Sequence, residues 1–236
     1  MDLADIDILL VGDSASMVIH GHDTTLPITL EEMLVHCRSV ARGAKNTFLV
    51  GDIPFGSYES SDENLLKSAI RILKEGGMHA VKLEGSGYCR VSAVRKLNQA
   101  GVAVMGHIGL TPQSVNRIGG YIVQGRNPEK AEELIKEAKL LEESGASMLL
   151  LECVPSELAK NITESLEIPV IGIGAGIEVD GQIMVNYDLL GITQMEKPPK
   201  FVKNYLLEAS SIEEAIKNYV LEIKEKKFPG IEHSFK

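Results

Sequence analysis

The sequence predicts a (β/α) barrel of the TIM type, formed as a single domain over residues 1–236, and three observations carry that expectation. Short continuous apolar runs alternate with amphipathic helical patterns, the signature of parallel strands joined by right-handed crossovers. Several of those runs end in a carboxylate or a histidine. Such endings recur along much of the chain instead of gathering at one crossover, and a barrel, unlike a doubly wound sheet, presents every strand end to one mouth.

Taken in order, the strand-like runs are Ile6 to Val11, Thr47 to Gly51, Ala80 to Glu84, Val102 to His107, Met148 to Glu152, Val170 to Ile173 and Ile183 to Asn186. They are short and apolar throughout, as strands buried on both faces must be. Helical patterns separate most of them. One is expected to open at Ser60 and Glu63 with capping-box spacing, to bury Leu66, Ala69, Ile70 and Leu73, and to stop at Gly76. The clearest has Asn127 as N-cap and Pro128 at its first position, buries Ala131, Leu134, Ile135, Ala138 and Leu141, and ends at Gly145. The stretch Ser211 to Lys227 reads as a final charged amphipathic helix, followed by a loop at Phe228, Pro229 and Gly230.

Four runs end directly in an acid: ILLVGD at Asp13, FLVGD at Asp52, AVKLE at Glu84 and LLLE at Glu152. Acids collected on one rim repel and raise one another's pKa unless a cation or a proton-transfer task holds them there. Asp13, Asp52 and Glu84 form an oxygen-only trio suited to Mg²⁺, which keeps positions open for water or substrate. The structural alternative for each acid is a helix N-cap. Lys82 lies two residues before Glu84 and shares its side of the strand, where it can hold a substrate carboxylate, stabilise an enolate or simply pair with an acid. His107 ends its own strand ahead of GLTPQSV.

The net charge of −9 and the 5% aromatic content exclude phosphate-backbone binding and single-strand stacking platforms. The three cysteines, Cys37, Cys89 and Cys153, have no close pairs and read as small hydrophobes in a reducing compartment. Asp2, Asp5 and Asp7 stand where a signal peptide needs positive charge, and no apolar run approaches a membrane span, so the expected location is cytoplasmic. The run HGHD at His20 to Asp23 invites a metal reading but lies in a loop beyond Asp13. GIGAG, from Gly172 to Gly176, is either a phosphate cradle or a tight turn.

The blocks VGDSASM from Val11, GHDTTLP from Gly21, VGDIPFGSY from Val50, VKLEG from Val81, GHIGLTPQSVNRIGGY from Gly106, QGR from Gln124, LLLECVPSELA from Leu149, IPVIGIGAG from Ile168, DGQ from Asp180 and the closing PGIEHSF are similar, in order, to the ketopantoate hydroxymethyltransferase family. The resemblance implies a metal-dependent barrel that transfers a hydroxymethyl group from 5,10-methylenetetrahydrofolate to the 2-oxo acid 3-methyl-2-oxobutanoate, through a metal-stabilised enolate, in pantothenate and coenzyme A synthesis. By the same resemblance Asp13, Asp52 and Glu84 form the Mg²⁺ sphere, Asp13, Ser14, Asp52 and Lys82 contact the oxo acid, and Glu152 accepts the proton. His107 hydrogen-bonds the substrate. A homo-oligomer, decamer-like in the family, is implied as well. Family members carry an earlier strand and helix ahead of VGDS, so the chain is expected to form seven strands where a closed barrel needs eight. Two alternatives remain: a carbon–carbon lyase of the related metal-dependent 2-oxo acid barrels, and an inactive assembly-only relic.

Overall fold

The computed structural model describes residues 1–193 and 196–236. Its strands are β1 (Ile8–Val11), β2 (Phe48–Asp52), β3 (Ala80–Glu84), β4 (Ala103–Gly109), β5 (Met148–Glu152), β6 (Val170–Ile173) and β7 (Gly181–Gln182). The helices are α1 (Ala15–Val18), α2 (Leu30–Gly43), α3 (Asp62–Lys74), α4 (Tyr88–Gln99), α5 (Val115–Ile118), α6 (Pro128–Glu143), α7 (Ser156–Glu164), α8 (Asn186–Leu189) and α9 (Ile212–Lys224). The seven strands make one parallel sheet in chain order, with β1 and β7 at its edges. The sheet curls into a partial barrel.

Two apolar layers follow from the period-two alternation of the strands. Val50, Ala80, Met105 and Leu150 fill the concave face with Ile8, Leu10, Ile171 and Ile173 packed beside them. The alternate residues, among them Leu49, Val81, Leu83, Val104, Leu149 and Leu151, join Leu34, Cys37, Ile72, Leu97, Leu141 and Ile162 of the covering helices. Gly51 makes this contact close, since a Cβ there would lie 2.5 Å from Ile72 Cγ2. A smaller core joins the chain ends: Ala4, Leu189, Tyr205, Ile216, Tyr219 and Phe228 pack together, so that α9 lies against the amino-terminal residues.

Most sequence expectations hold, and four change. The seventh strand is Gly181–Gln182, paired with Ile171 and Gly172, while Asn186 begins α8. The strand thus ends where the apolar run begins, and of that run only the Ile183 amide bonds to the sheet, at the Gly172 carbonyl. The N-cap of α3 is Ser61, whose hydroxyl accepts from the Asn64 amide, and Ser60 instead accepts from the Asn64 side chain. The buried stripe of α3 is Leu65, Ser68, Ala69 and Ile72, each but Ala69 one residue off the expected set, and Ile70 is exposed. Cys37 and Cys153 are buried, but Cys89 is exposed. At α6, Asn127 accepts from the Lys130 amide and Pro128 stands at the first position, as expected.

Candidate active site

Parallel register brings the strand ends together. Asp52 on β2 lies opposite Lys82 on β3, and Glu84 on β3 opposite His107 on β4. All four face the concave side because they continue the inward positions Val50, Ala80 and Met105. Lys82 Nζ stands 3.1 Å from Asp52 Oδ2, 3.3 Å from Glu84 Oε1 and 3.3 Å from His107 Nδ1. Asp13, just past β1, donates its backbone amide to Asp52 Oδ2 at 3.0 Å. His107 Nδ1 is 3.5 Å from Glu84 Oε1, and its Nε2 is 3.3 Å from Glu152 Oε2 at the end of β5. Asp13, Asp52, Lys82, Glu84 and His107 are buried, whereas Glu152 is partly open to the mouth.

None of these acids caps a helix: the caps of α1, α3, α4 and α7 fall at Ser14, Ser61, Gly87 and Pro155. Ser14 therefore stands at the mouth beside Asp13, at the start of α1. The alternative offered for Lys82, a structural ion pair, is partly realised, but the pair ends in an orphan: Asp52 Oδ1 is buried with no partner.

The electrostatics explain what such a group needs. Burial, then the Asp52 charge, push Asp13 well above the usual carboxylate range, and burial raises Asp52 against the pull of Lys82. Burial also disfavours charge on Glu84, but Lys82 and His107 outweigh it and hold Glu84 down to about 2. Lys82 is desolvated too, yet Asp52, Glu84 and Asp13 raise its pKa. For His107, burial and Lys82 oppose protonation, and the carboxylates of Glu152 and Glu84 prevail, taking it to about 9. Negative charge exceeds positive around Asp13 and Asp52.

That imbalance, the unpartnered Asp52 oxygen and the all-oxygen donors fit a hard divalent cation at Asp13 and Asp52. Mg²⁺ is commonly held by one or two carboxylates, with water and substrate completing its shell. Glu84 is differently engaged: Oε2 accepts from the Gln113 amide at 2.9 Å, and Oε1 faces Lys82 and His107. Among the described residues, no three His, Cys, Asp or Glu side chains stand as a ready-made metal cluster.

Sequence reasoning missed Gln113. It lies in the turn after β4, is 6% exposed, and its side-chain amide donates to Asp13 Oδ2 at 2.9 Å and to the Ile53 carbonyl at 3.0 Å. Its own Oε1 accepts from Tyr58 Oη at 2.5 Å. A lone glutamine in a loop carries no spacing signal, although its place in GHIGLTPQSV, beside His107, was one. The two other motifs lie elsewhere. His20 pairs with His36 of α2 at 2.9 Å and approaches Glu32 at 3.6 Å. In GIGAG, Gly174 and Gly176 take φ of +62° and +80°, and Cβ atoms there would meet Phe201 and Ser156, so the segment is a turn closely overlaid by neighbouring chain.

The fold and the strand-end site define a class, the parallel β/α barrels that gather acids at the carboxyl ends of their strands. Phosphonopyruvate hydrolase has the same fold, with a TM-score of 0.60 at 12% identity over 81% of this chain and 73% of that one. So has 2,3-dimethylmalate lyase, a member of the PEP mutase/isocitrate lyase superfamily, with a TM-score of 0.54 at 16% identity over 72% of this chain and 60% of that one. Within this class the chain belongs to the ketopantoate hydroxymethyltransferase family, which it matches over residues 1–231. The 3-methyl-2-oxobutanoate hydroxymethyltransferase 1, mitochondrial, of Arabidopsis thaliana is 52% identical across 99% of this chain and 69% of its own length. The 3-methyl-2-oxobutanoate hydroxymethyltransferase of Carboxydothermus hydrogenoformans is 53% identical across 98% of this chain and 83% of its own.

Proposed function

We propose that this chain transfers a hydroxymethyl group from 5,10-methylenetetrahydrofolate to 3-methyl-2-oxobutanoate, giving 2-dehydropantoate. The observation that carries the reading is the convergence of Asp13, Asp52, Lys82, Glu84, His107 and Glu152 at neighbouring strand ends of a chain whose relatives bear that activity in their names. Asp13 and Asp52 would hold Mg²⁺, and Glu84 adds its charge to the same pocket. When bound, the cation draws electron density from the substrate carbonyl and acidifies the adjacent carbon.

The remaining roles belong to the protein. Lys82 and Ser14 orient the oxo acid, Lys82 by offering a buried positive charge to its carboxylate. Glu152, the one acid of the group partly open to the mouth, takes the proton from the third carbon of the substrate. His107 Nε2, 3.3 Å from Glu152 and without a hydrogen-bond partner of its own, can offer its proton to the Glu152 carboxylate or to the substrate. The enolate so formed bonds to the one-carbon unit, whose two carbon–nitrogen bonds to the folate break, and water supplies the hydroxyl oxygen as tetrahydrofolate leaves. The same reading puts the protein in the cytoplasm as a homo-oligomer. A lyase reading has weaker support, because 2,3-dimethylmalate lyase shares only the fold, at 16% identity, whereas the named transferases share about half of the aligned residues.

The test separates binding from chemistry. Glu152→Gln should bind 3-methyl-2-oxobutanoate normally yet lose deuterium exchange at the third carbon by about 10²-fold or more, the usual contribution of a positioned base. Exchange at the parental rate removes Glu152 from the mechanism. Asp52→Asn should remain folded and lose Mg²⁺ affinity in calorimetry, and cleavage of branched 2-hydroxy acids without one-carbon transfer by the parent would favour the lyase.

A further inference from the structure

The turn after β4 reaches back across the mouth and ties together acids from two other strands. Gln113 is the atom-by-atom link. Its backbone amide donates to Glu84 Oε2 at 2.9 Å, and its side-chain nitrogen donates both to Asp13 Oδ2 at 2.9 Å and to the Ile53 carbonyl at 3.0 Å. Its side-chain oxygen accepts from Tyr58 Oη, itself a buried group. Because the Ile53 carbonyl can only accept, the nitrogen of the amide must face it and the neighbouring Asp13, which turns the oxygen toward Tyr58, whose hydroxyl then donates to it. The sense of the amide is therefore fixed. Arg90 of α4 lies with its guanidinium 4.3 Å from the Tyr58 ring centroid and pairs with Glu59 at 3.6 Å, which holds the tyrosine in place.

We propose that Gln113 is a positioning residue for the strand-end acids, committing one oxygen of Asp13 to itself so that the other is presented to the ligand, with Tyr58 holding the oxygen end of its amide. This rests on the proposed function, and it adds a residue that touches neither the reacting carbon nor the base. Freed from Gln113, the Asp13 carboxylate can rotate about its last bond, and the oxygen that should meet a cation or the oxo acid spends less time in place. Tyr58 acts at one further remove. Without its hydroxyl, the amide is held only at its nitrogen end by Asp13 and the Ile53 carbonyl, and its grip on Asp13 loosens.

The experiment uses Gln113→Met, which keeps the volume and the backbone donor to Glu84 while removing the side-chain donors, together with Tyr58→Phe. Calorimetric affinities for Mg²⁺ and for 3-methyl-2-oxobutanoate are measured beside steady-state kinetics, all well below each variant's unfolding midpoint. Gln113→Met is expected to weaken Mg²⁺ binding about tenfold, in line with the loss of one hydrogen bond to a charged group, and to raise KM for the oxo acid while leaving KM for the folate unchanged. Tyr58→Phe should shift the same quantities in the same direction by less. Lower thermal stability in both variants with parental affinities and parental KM values would make the network purely structural and overturn the proposal. A parent chain that binds neither ligand overturns the functional reading and the positioning role together, so the two failures are distinguishable.

Discussion

Lys82 is a lysine with its charge kept at a depth where lysines are seldom found, 3% exposed between Asp52 and Glu84. Removing one partner of such a group leaves buried charge of the other sign uncompensated, which costs about 3–5 kcal/mol. Lys82→Met should therefore lower the unfolding free energy obtained from urea denaturation by that measure, and added Mg²⁺ should recover part of the loss by supplying positive charge. No recovery would place the cation elsewhere. A second residue has a simpler pH signature. Asp2 accepts from the Asn46 and Thr47 amides, the Asn46 side chain and the Thr47 hydroxyl, and the backbone bond of Asn46, the largest cause, lowers its pKa from 3.8 to about 2. A depressed folded-state value means that its stabilisation is present above 3.8 and is lost as pH falls through about 2. The difference in unfolding midpoint between the parent and Asp2→Ala should be constant above that window and shrink within it. The acids and His107 were legible in the sequence because each ends an apolar run, and Lys82 because it stands two residues before Glu84 on the same side of its strand. Gln113 and Tyr58 lay inside the blocks GHIGLTPQSV and VGDIPFGSY, but their contacts, like that of Arg90, cross between segments with no periodic relation, so no role could be read for them.

Elements position these residues through backbone detail. Gly109 ends β4 with φ +91°, and a Cβ there would sit 2.3 Å from the Glu152 carbonyl oxygen, whose partner is the Leu110 amide. An alanine would have to push β4 from β5 at the point where Glu152 is set, while an unfavourable positive φ adds strain. Gly109→Ala should thus reduce turnover far more than Asn127→Ala, which removes the cap of α6 on the outer face and costs about 1 kcal/mol of stability. Denaturation and kinetics on the two variants check this, and equal losses of turnover would mean that the β4 terminus tolerates displacement. Six strand positions were readable because buried parallel strands are continuous apolar runs. The seventh was not: Gly181 and Gln182 pair with β6 through backbone alone, and neither is apolar. The adjacent serines 60 and 61 left the start of α3 open by one residue, and separately the apolar residues Leu65, Leu66, Ile70, Ile72 and Leu73 surround enough of the helix that spacing alone did not single out the packed face, which lies about 100° from the expected one.

At the scale of the molecule, the sheet is held most firmly in its middle and least at its margins. β3, β4 and β5 have strands on both sides, whereas β1 and β7 each pair with one neighbour. A cavity of about 360 Å³ separates those margins, lined by Ile6 and Ile8 on one side, by Ile171, Gly181 and Ile183 on the other, and by Tyr219, Val220 and Ile223 of α9. Outer backbone groups of two parallel edges facing a slot of mixed lining, apolar within and charged at Asp7, Asp180, Lys224 and Lys226, are the conditions that an additional parallel strand satisfies, by supplying hydrogen bonds to both edges and side chains to the gap. Amide exchange should accordingly be slowest in β3 to β5 and fastest in β1 and β7. A version carrying an apolar strand and a helix ahead of residue 1 should unfold at higher temperature, protect the β1 and β7 amides, and associate less through its edges. Turnover should rise with closure, because Asp13 follows β1 directly and inherits any freedom of that strand. Equal melting temperatures, exchange rates and activity in the two forms would mean that α9 and the chain-end core already close the sheet, and that β1 holds Asp13 without a neighbour on its outer side.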